Sequence, residues 1–149
     1  MVRTTVRQLL ASKGHDVWSV SPETTVFDAL KLMADKNIGA VIVLTDGELC
    51  GVLSERDYAR KVVLEGKASI STPASEIMTS PVLIVEPEHT IDRCMALMTD
   101  KRLRHLPVVE NDQVVGMVSI GDVVKTVIAD QEFMLEQLET YITGPTLNG

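Results

Sequence analysis

An internal duplication is the feature of this sequence that most restricts its fold. Residues 17–58 align without a gap with residues 82–123, and 13 of the 42 aligned positions are identical. Unrelated segments of ordinary composition would match at about one position in fifteen. The chain is therefore a tandem duplication of one folding unit.

Each unit is predicted to follow the order β-α-β-β-α. In both units a proline follows the first strand, a threonine caps the first helix and a serine begins the second helix. A short polar link between the second and third strands is typical of a hairpin. The predicted strands cover residues 17–20, 40–44 and 49–53 in the first unit and residues 82–85, 106–109 and 114–118 in the second.

The two halves are expected to meet at a short linker. The stretch GKASISTP at residues 66–73 is rich in small and turn-forming residues. A short helical segment precedes each unit, so we assign residues 1–72 to the first half and residues 73–149 to the second. The last helix of the first half is expected to stop near Gly66. Its counterpart carries an apolar stripe to about Ile142 and is predicted to be longer.

Both units contain a serine and an aspartate where a strand turns into a helix, in GVLSERD at residues 51–57 and GMVSIGD at residues 116–122. The serine caps the helix, and the free N–H groups of the helix N-terminus can bind an anion. The aspartate lies in the first helical turn, where its charge suits the helix dipole, and it can also accept hydrogen bonds from sugar hydroxyls. A single motif is equally well explained as a helix cap. Two copies in register favour nucleotide binding.

Composition and charge exclude several classes of protein. The net charge of −7 argues against non-specific binding to nucleic acid or to an anionic membrane surface. No apolar run approaches the roughly 18 residues of a membrane span, and the N-terminus does not resemble a signal peptide. Cys50 and Cys94 lie in apolar runs and are interpreted as reduced core thiols. These features predict a cytoplasmic protein.

No catalytic or metal-binding motif is recognisable in the sequence. Nucleotide-binding glycine loops, zinc-protease motifs and the nucleophile elbow of hydrolases are missing. His15, His89 and His105 are scattered without the spacing of metal ligands. We therefore expect a binding module and neither an enzyme nor a metalloprotein.

The chain resembles the stand-alone tandem CBS (cystathionine β-synthase-type) domain proteins of bacteria. The resemblance rests on GVLSERD and GMVSIGD, on SEIM before the second unit and on RHLPVVE in its hairpin, and it covers nearly the whole chain. It implies an α+β fold. In that fold two β-α-β-β-α repeats pack sheet to sheet about a pseudo-two-fold axis, and an extra C-terminal helix follows.

The resemblance also implies two clefts between the repeats that accept adenosine ligands: AMP, ADP, ATP, NAD(H) or S-adenosylmethionine. In each cleft the aspartate is implied to hold the ribose hydroxyls and the serine a phosphate, while backbone groups read the adenine edge and apolar residues enclose the ring. Cleft A is implied to combine Val52, Ser54, Arg56 and Asp57 with Val82, Leu83, Arg104, His105 and Pro107. Cleft B is implied to combine Met117, Ser119, Gly121 and Asp122 with Val17, Trp18, Gly39, Ala40 and Ile42.

The two implied clefts differ in charge. Arg56, Arg104 and His105 lie near the expected phosphate of cleft A, and the planar fork of arginine suits phosphate. Small residues occupy the matching positions of cleft B, which is therefore expected to be roomier and to lack those cations. The sequence does not place Lys13 and His15 relative to cleft B. We expect cleft A to prefer ligands with a terminal phosphate and cleft B to admit a dinucleotide such as NAD(H).

The resemblance finally implies a regulatory role. A ligand that bridges the two repeats would shift their relative packing, or that of a homodimer formed through helices of both repeats, and an unidentified partner protein would respond. The long C-terminal helix is expected to contribute to the dimer contact. The alternative is a structural adaptor that dimerises and does not respond to ligand.

Overall fold

Two similar α+β units form the chain, which the computed structural model describes over residues 3–143, with side chains to residue 140. A short helix precedes each unit. The first half contains α1 (Val6–Lys13), β1 (Ser19–Val20), α2 (Val26–Lys36), β2 (Ala40–Thr45), β3 (Glu48–Ser54) and α3 (Glu55–Tyr58). The second half contains α4 (Ala74–Ile77), α5 (Ile91–Lys101), β4 (His105–Glu110), β5 (Gln113–Ser119) and α6 (Ile120–Thr143). This arrangement confirms the predicted α+β class and the extended last helix.

The predicted hairpins form in both units with the same register. β2 pairs antiparallel with β3, so that Ala40 lies opposite Ser54, and β4 pairs antiparallel with β5, so that His105 lies opposite Ser119. In the first unit the short strand β1 joins the sheet parallel to β2. The matched registers bring each serine beside the first residue of the preceding strand.

The predicted strand at residues 82–85 does not form, and the reason lies in the partner strand. In the first unit Ile42 of β2 donates its N–H to the carbonyl of Trp18, at a distance of 3.0 Å. The equivalent residue of β4 is Pro107, which has no N–H to donate. Only Val85 remains attached, through an isolated parallel bridge to Val108.

Threonine side chains cap the first helix of both units, as the sequence predicts. The Oγ1 atom of Thr25 accepts a hydrogen bond from the N–H of Asp28 at 3.2 Å, and that of Thr90 accepts one from the N–H of Arg93 at 3.3 Å. These bonds satisfy N–H groups that have no partner within the helix. Equivalent helices therefore start at equivalent positions.

The second helix of the first unit is divided. The α-helix α3 ends at Tyr58, and a π-helical turn at Ala59–Val63 continues it, so the helical segment that was predicted to start after Ser54 changes its type along its length. Gly66 adopts the left-handed conformation, with a φ of 71°, which is consistent with the predicted end of the segment. Short π-helical turns are often found near functional sites.

The two short helices that precede the units are exchanged between them. Leu9 and Leu10 of α1 are buried in the core of the second unit, and the N–H of Val6 bonds to the carbonyl of His89 at 2.8 Å. Ile77 of α4 is buried in the core of the first unit. Each half of the sequence therefore completes the core of the other half. The division of the sequence at residue 72 stays a prediction.

A separate apolar cluster joins the two sheets. Its buried members are Ala40, Ile42 and Val52 of the first unit, and partly buried residues of both units pack around them. The cluster contains several pairs of residues that hold equivalent positions in the two units. Equivalent residues meet at the axis that relates the units, so the contact lies on the pseudo-two-fold axis implied by the duplication. Those pairs are Val17 with Val82, Leu49 with Val114 and Val52 with Met117.

We expect Gly116→Ala to loosen the contact between α1 and β5. A Cβ atom at position 116 would lie 2.7 Å from both Cδ atoms of Leu10, which is only 1% exposed. Overpacking of this kind lowers the free energy of unfolding by about 1–3 kcal/mol. Gly121→Ala is the matched control, because the nearest atom to its Cβ would be the Ser119 Oγ at 3.7 Å. Urea unfolding measures the free energy of unfolding of both variants. If the Gly116→Ala variant is as stable as the wild type, the described packing of α1 against β5 is wrong.

Candidate functional site

Two cavities lie beside the contact between the sheets, and residues of both units line each of them. Their volumes are about 430 Å³ for cleft A and about 460 Å³ for cleft B. Cleft B, which was expected to be the roomier of the two, is larger by a small margin only. Both cavities fall in the size range of small-molecule sites.

Cleft A contains eight of the nine residues that the family resemblance assigned to it. Pro107 does not line the cavity: it is buried, and its carbonyl accepts a hydrogen bond from the N–H of Val85 at 3.0 Å. The eight residues are Val52, Ser54, Arg56, Asp57, Val82, Leu83, Arg104 and His105.

The Ser54–Asp57 turn forms a reciprocal cap at the rim of cleft A. The Oδ2 atom of Asp57 accepts hydrogen bonds from the N–H and the hydroxyl of Ser54, both at 3.0 Å, and the Ser54 Oγ accepts one from the N–H of Asp57 at 3.1 Å. The other oxygen, Oδ1, lies 3.4 Å from the Thr79 hydroxyl and 3.2 Å from the Lys61 ammonium. The cap thus fixes the carboxylate in place, and Oδ1 is the oxygen with fewer hydrogen bonds.

Thr79 is a cleft residue that the sequence analysis missed. It exchanges two backbone hydrogen bonds with Val52, at 2.8 and 3.1 Å, and so extends the edge of the first sheet. This pairing joins positions far apart in the sequence, and no local pattern announces it. Lys61, in contrast, lies four residues after Asp57, and helical spacing could have identified it.

A cluster of arginines forms one wall of cleft A. Arg56, Arg60, Arg102 and Arg104 line the cavity, and none of the four forms a salt bridge within residues 3–140. The charge of Arg60 is the largest of the causes that lower the pKa of Arg56, followed by burial and by the charges of Arg104 and Arg102. Crowded guanidinium groups in a chain of net charge −7 create a local site for an anion.

Cleft B also contains eight of its nine assigned residues. Gly121 does not line the cavity: it lies in the first turn of α6 and has no side chain with which to reach it. Arg56 holds the equivalent position in cleft A, so this difference removes one guanidinium group from cleft B. The eight residues are Val17, Trp18, Gly39, Ala40, Ile42, Met117, Ser119 and Asp122.

Cleft B lacks the arginines of cleft A, as expected, but His105 lines both cavities. Lys13 and Lys36 also line cleft B, whereas His15 does not. The Nζ atom of Lys13 lies 2.6 Å from the Asp122 Oδ2, and that of Lys36 lies 4.2 Å from the centre of the Trp18 ring. Sequence reasoning could not place Lys13, because α1 is exchanged onto the other unit.

Gly39 and His105 line both cavities and form their shared wall. A Cβ atom at position 39 would lie 3.5 Å from the His105 Nε2 and 3.4 Å from the Glu55 Oε1, so these two side chains converge over the glycine. Burial lowers the pKa of His105, and the positive charge of Lys13 acts in the same direction. The negative charge of Asp122 opposes this shift.

Neither a metal-binding cluster nor a membrane-spanning helix is found within the part of the chain that the structure describes. No group of three or more histidine, cysteine, aspartate or glutamate side chains there could hold a metal ion. None of the helices found there has both the length and the apolar character needed to cross a membrane.

Comparison with known proteins identifies the repeats. A family model for the CBS domain matches residues 6–64 and 74–129. The mitochondrial CBS domain-containing protein CBSX3 of Arabidopsis thaliana is 41% identical over 151 residues, which cover 95% of this chain and 73% of that protein.

Solved structures show the same fold. A putative signal-transduction protein with CBS domains from Burkholderia ambifaria is 50% identical, with a TM-score of 0.82 over 86% of this chain and 96% of that one. The CBS domain pair of protein MJ0100, solved with 5-methylthioadenosine and S-adenosyl-L-methionine, is 22% identical. Its TM-score is 0.77 over 87% of this chain and 99% of that one, which supports the fold alone.

We expect His105 to titrate below the ordinary histidine value of 6.5. Because the folded-state pKa is lowered, the unfolded chain takes up the proton first, and the free energy of unfolding falls as the pH drops below about 6.5. NMR titration of the imidazole measures the pKa directly, and unfolding at several pH values measures the linkage. His105→Gln should remove this part of the pH dependence, whereas His15→Gln, at an exposed position, should retain it. An ordinary pKa for His105 would contradict its burial between the clefts.

Proposed function

The chain belongs to the CBS domain family, and from this premise we propose that it is a regulatory protein that binds adenine nucleotides in its two clefts. CBS domain pairs generally act as regulators that bind adenosine-containing ligands, and the MJ0100 pair was solved with two of them. The proposal for this chain is more specific. AMP, ADP or ATP occupies cleft A, and a dinucleotide such as NAD(H) occupies cleft B.

The arginine wall of cleft A is the observation that carries this proposal. Four guanidinium groups without a salt bridge in the described residues lie in the same cavity as a fixed carboxylate, that of Asp57. A nucleotide complements this pattern, because its ribose hydroxyls donate to a carboxylate and its phosphate accepts from arginine. Charge-assisted hydrogen bonds of this kind contribute about 1.5–3 kcal/mol each.

One side of cleft A is apolar, which suits an adenine ring. Val52 is 8% exposed, and Val82 and Leu83 line the cavity from the other repeat. The segment that carries Val82 and Leu83 does not join a strand, so its position is not fixed by a sheet ladder. We propose that the ring lies between these apolar side chains while the phosphate reaches the arginine wall.

We propose that ligands act by fixing the two repeats relative to each other. Residues of both repeats line each cleft, so a bound nucleotide contacts both at once. Such a ligand changes the equilibrium between arrangements of the repeats only if it binds one of them more tightly. A partner protein that contacts both repeats would then distinguish the two states.

We propose a homodimer formed through the helices. Apolar side chains of α5 and α6, among them Met98, Val124 and Ile128, line a groove on the surface. Val124 and Ile128 are 49% and 50% exposed, and Leu135 and Leu138 further along α6 are 62% and 54% exposed. Every residue from 131 to 140 is exposed, so the apolar side chains in this part of α6 are largely in contact with water. A second copy of the chain would cover this face.

The same apolar face favours the second candidate function, that of an adaptor that dimerises without responding to a ligand. The two functions differ in what copurifies with the protein. A nucleotide-binding regulator is expected to carry adenine and to show a raised ratio of absorbance at 260 nm to that at 280 nm. An adaptor is expected to show the ratio of its own aromatic residues alone.

We also propose a reducing, aqueous compartment, with the cytoplasm as the expectation. Cys94 is buried in the core of the second unit, Cys50 is partly buried, and both are free thiols. Burial raises the pKa of Cys94 to about 11, which keeps the thiol protonated and unreactive. Structural disulfides, which are typical of oxidising compartments, are absent among the described residues.

We expect Asp57→Ala to weaken AMP binding at cleft A by about 30- to 1,000-fold. The variant removes two hydrogen bonds to the ribose, together worth about 2–4 kcal/mol. Asp122→Ala is expected to spare cleft A and to weaken cleft B. Calorimetric titration with AMP and NADH measures both. Wild-type affinity of the Asp57→Ala variant for AMP would refute the proposed ribose contact.

We expect Arg56→Ala to weaken AMP far more than adenosine, because adenosine has no phosphate to lose. Arg93→Ala is the matched control, since Arg93 is exposed on α5 and lines neither cleft. Titration with both ligands distinguishes the roles. An equal loss of AMP and adenosine binding in the Arg56→Ala variant would show that Arg56 supports the shape of the cleft.

We expect truncation after Asp130 to weaken self-association. The truncation removes the exposed apolar side chains of Phe133, Met134, Leu135 and Leu138. Analytical ultracentrifugation at micromolar concentration compares the truncated and full chains. Dimers of equal strength would show that this end of α6 does not take part in the interface.

A further inference from the structure

The structure places a lysine on the carboxylate that cleft B offers to a ribose. We propose that Lys13 determines the specificity of cleft B: it competes with the ribose for Asp122, and it transfers to the phosphate of a ligand that carries one. Cleft B would then select phosphorylated adenosine ligands and disfavour uncharged ones such as adenosine. This inference rests on the proposed function of cleft B.

Lys13 contacts one oxygen of the Asp122 carboxylate, Oδ2. The Nζ atom lies 2.6 Å from the Asp122 Oδ2 and 2.6 Å from the carbonyl oxygen of Met117. The same Oδ2 accepts a hydrogen bond from the N–H of Ser119 at 2.8 Å. The Asp122 side chain is 18% exposed and that of Lys13 is 37% exposed, so the pair is only partly screened by solvent. A ribose hydroxyl that approaches Oδ2 therefore meets the ammonium group.

Electrostatics support the strength of this pairing. Burial acts to raise the pKa of Asp122, but hydrogen bonds from Lys13 and from the backbone of Ser119 outweigh it, and the net shift is downward. The carboxylate is thus held ionised mainly by Lys13 and Ser119. An uncharged ligand that displaces the Lys13 ammonium leaves the Asp122 carboxylate without a counter-ion and gives the ammonium no new partner. A ligand with a phosphate provides a new partner for the ammonium.

The fold positions Lys13 at this place. Lys13 is the last residue of α1, and Leu10, one turn earlier, is buried against Gly116 of β5. Gly14 follows with a φ of 110°, a conformation that favours glycine, and ends the helix. The lysine side chain therefore starts from a fixed backbone beside β5, the strand that carries Met117 and leads to Ser119.

Cleft A shows a weaker form of the same pairing. Lys61 lies 3.2 Å from the Asp57 Oδ1 and also donates to the carbonyl of Ile77 at 3.0 Å. That lysine comes from the same helical segment as the aspartate, one turn later. In cleft A the arginines provide the phosphate site, so Lys61 is not the main cation. In cleft B no arginine lines the cavity, and the phosphate depends on Lys13 and Lys36.

The chain contains a selective probe of cleft B. Trp18 is the only tryptophan in the sequence, and it lines cleft B and not cleft A. Its fluorescence therefore reports binding at cleft B while cleft A remains intact. We suggest titrating AMP, NADH and adenosine into the full chain. Trp18 emission monitors the binding of all three ligands, and calorimetry provides a second measurement for NADH.

Lys13→Met should shift the two kinds of ligand in opposite directions at cleft B. Adenosine is expected to bind about tenfold more tightly, because its competitor for Asp122 is gone, and AMP about tenfold more weakly, because one charged contact is lost. Lys13→Arg keeps the charge and is expected to retain the wild-type preference. Lys36→Met removes the other cation of the same cleft and is expected to weaken AMP without strengthening adenosine.

The outcomes separate this inference from the proposed function. If adenosine binds the Lys13→Met variant no more tightly than wild type, while AMP or NADH still binds cleft B of the wild type, Lys13 has a structural role and only this inference is wrong. If no adenosine ligand binds either cleft of the wild type, the proposed function is wrong and this inference with it. Thermal unfolding of each variant checks that α1 remains in place.

Discussion

The contact between the two sheets is the interaction on which the rest of the structure depends. Ala40, Ile42 and Val52 are buried in it, and equivalent residues of the two units meet across it. Because Gly39 and His105 line both cavities, the clefts exist only where the units face each other. The exchanged helices α1 and α4 reinforce this contact, since each contributes to the core of the other unit.

The two clefts are similar in backbone structure but differ in their charged side chains. Both clefts present a capped aspartate, at Asp57 and Asp122, and their volumes are similar. The cations that line the two clefts differ: cleft A contains four arginines and Lys61, whereas cleft B contains Lys13 and Lys36. The duplication thus preserves the capped aspartate and varies the side chains around it. Two clefts of one shape can in this way prefer different ligands.

Local patterns in the sequence were sufficient to predict most of the fold. The threonine caps, the hairpins and the Ser-x-x-Asp turns are determined by neighbouring residues. Each of these patterns occurs in both repeats, which made its interpretation more specific. The strand at residues 82–85 failed for a reason that was also visible in the sequence, because Pro107 stands where Ile42 donates a hydrogen bond. The π-helical turn at Ala59–Val63 had no such signal.

The site was predicted less completely than the fold, because part of it depends on long-range packing. Arg60 and Lys61 follow Arg56 and Asp57 by one helical turn and were accessible to helical spacing. Thr79 and Lys13 were not, since the first reaches cleft A by pairing with Val52 and the second reaches cleft B on an exchanged helix. Family resemblance supplied the residues of the shared motif, and the structure added those that come from outside it.

The central claim is that the clefts between the repeats bind adenine nucleotides, and calorimetric titration of the wild-type chain tests it most directly. AMP, ATP, NADH and S-adenosylmethionine are each titrated into the purified protein after removal of any copurified ligand. The account predicts saturable heat with at least one phosphorylated ligand and weaker binding at higher salt, because arginine–phosphate contacts are screened by ions. A folded protein that gives no saturable heat with any of the four ligands would contradict it.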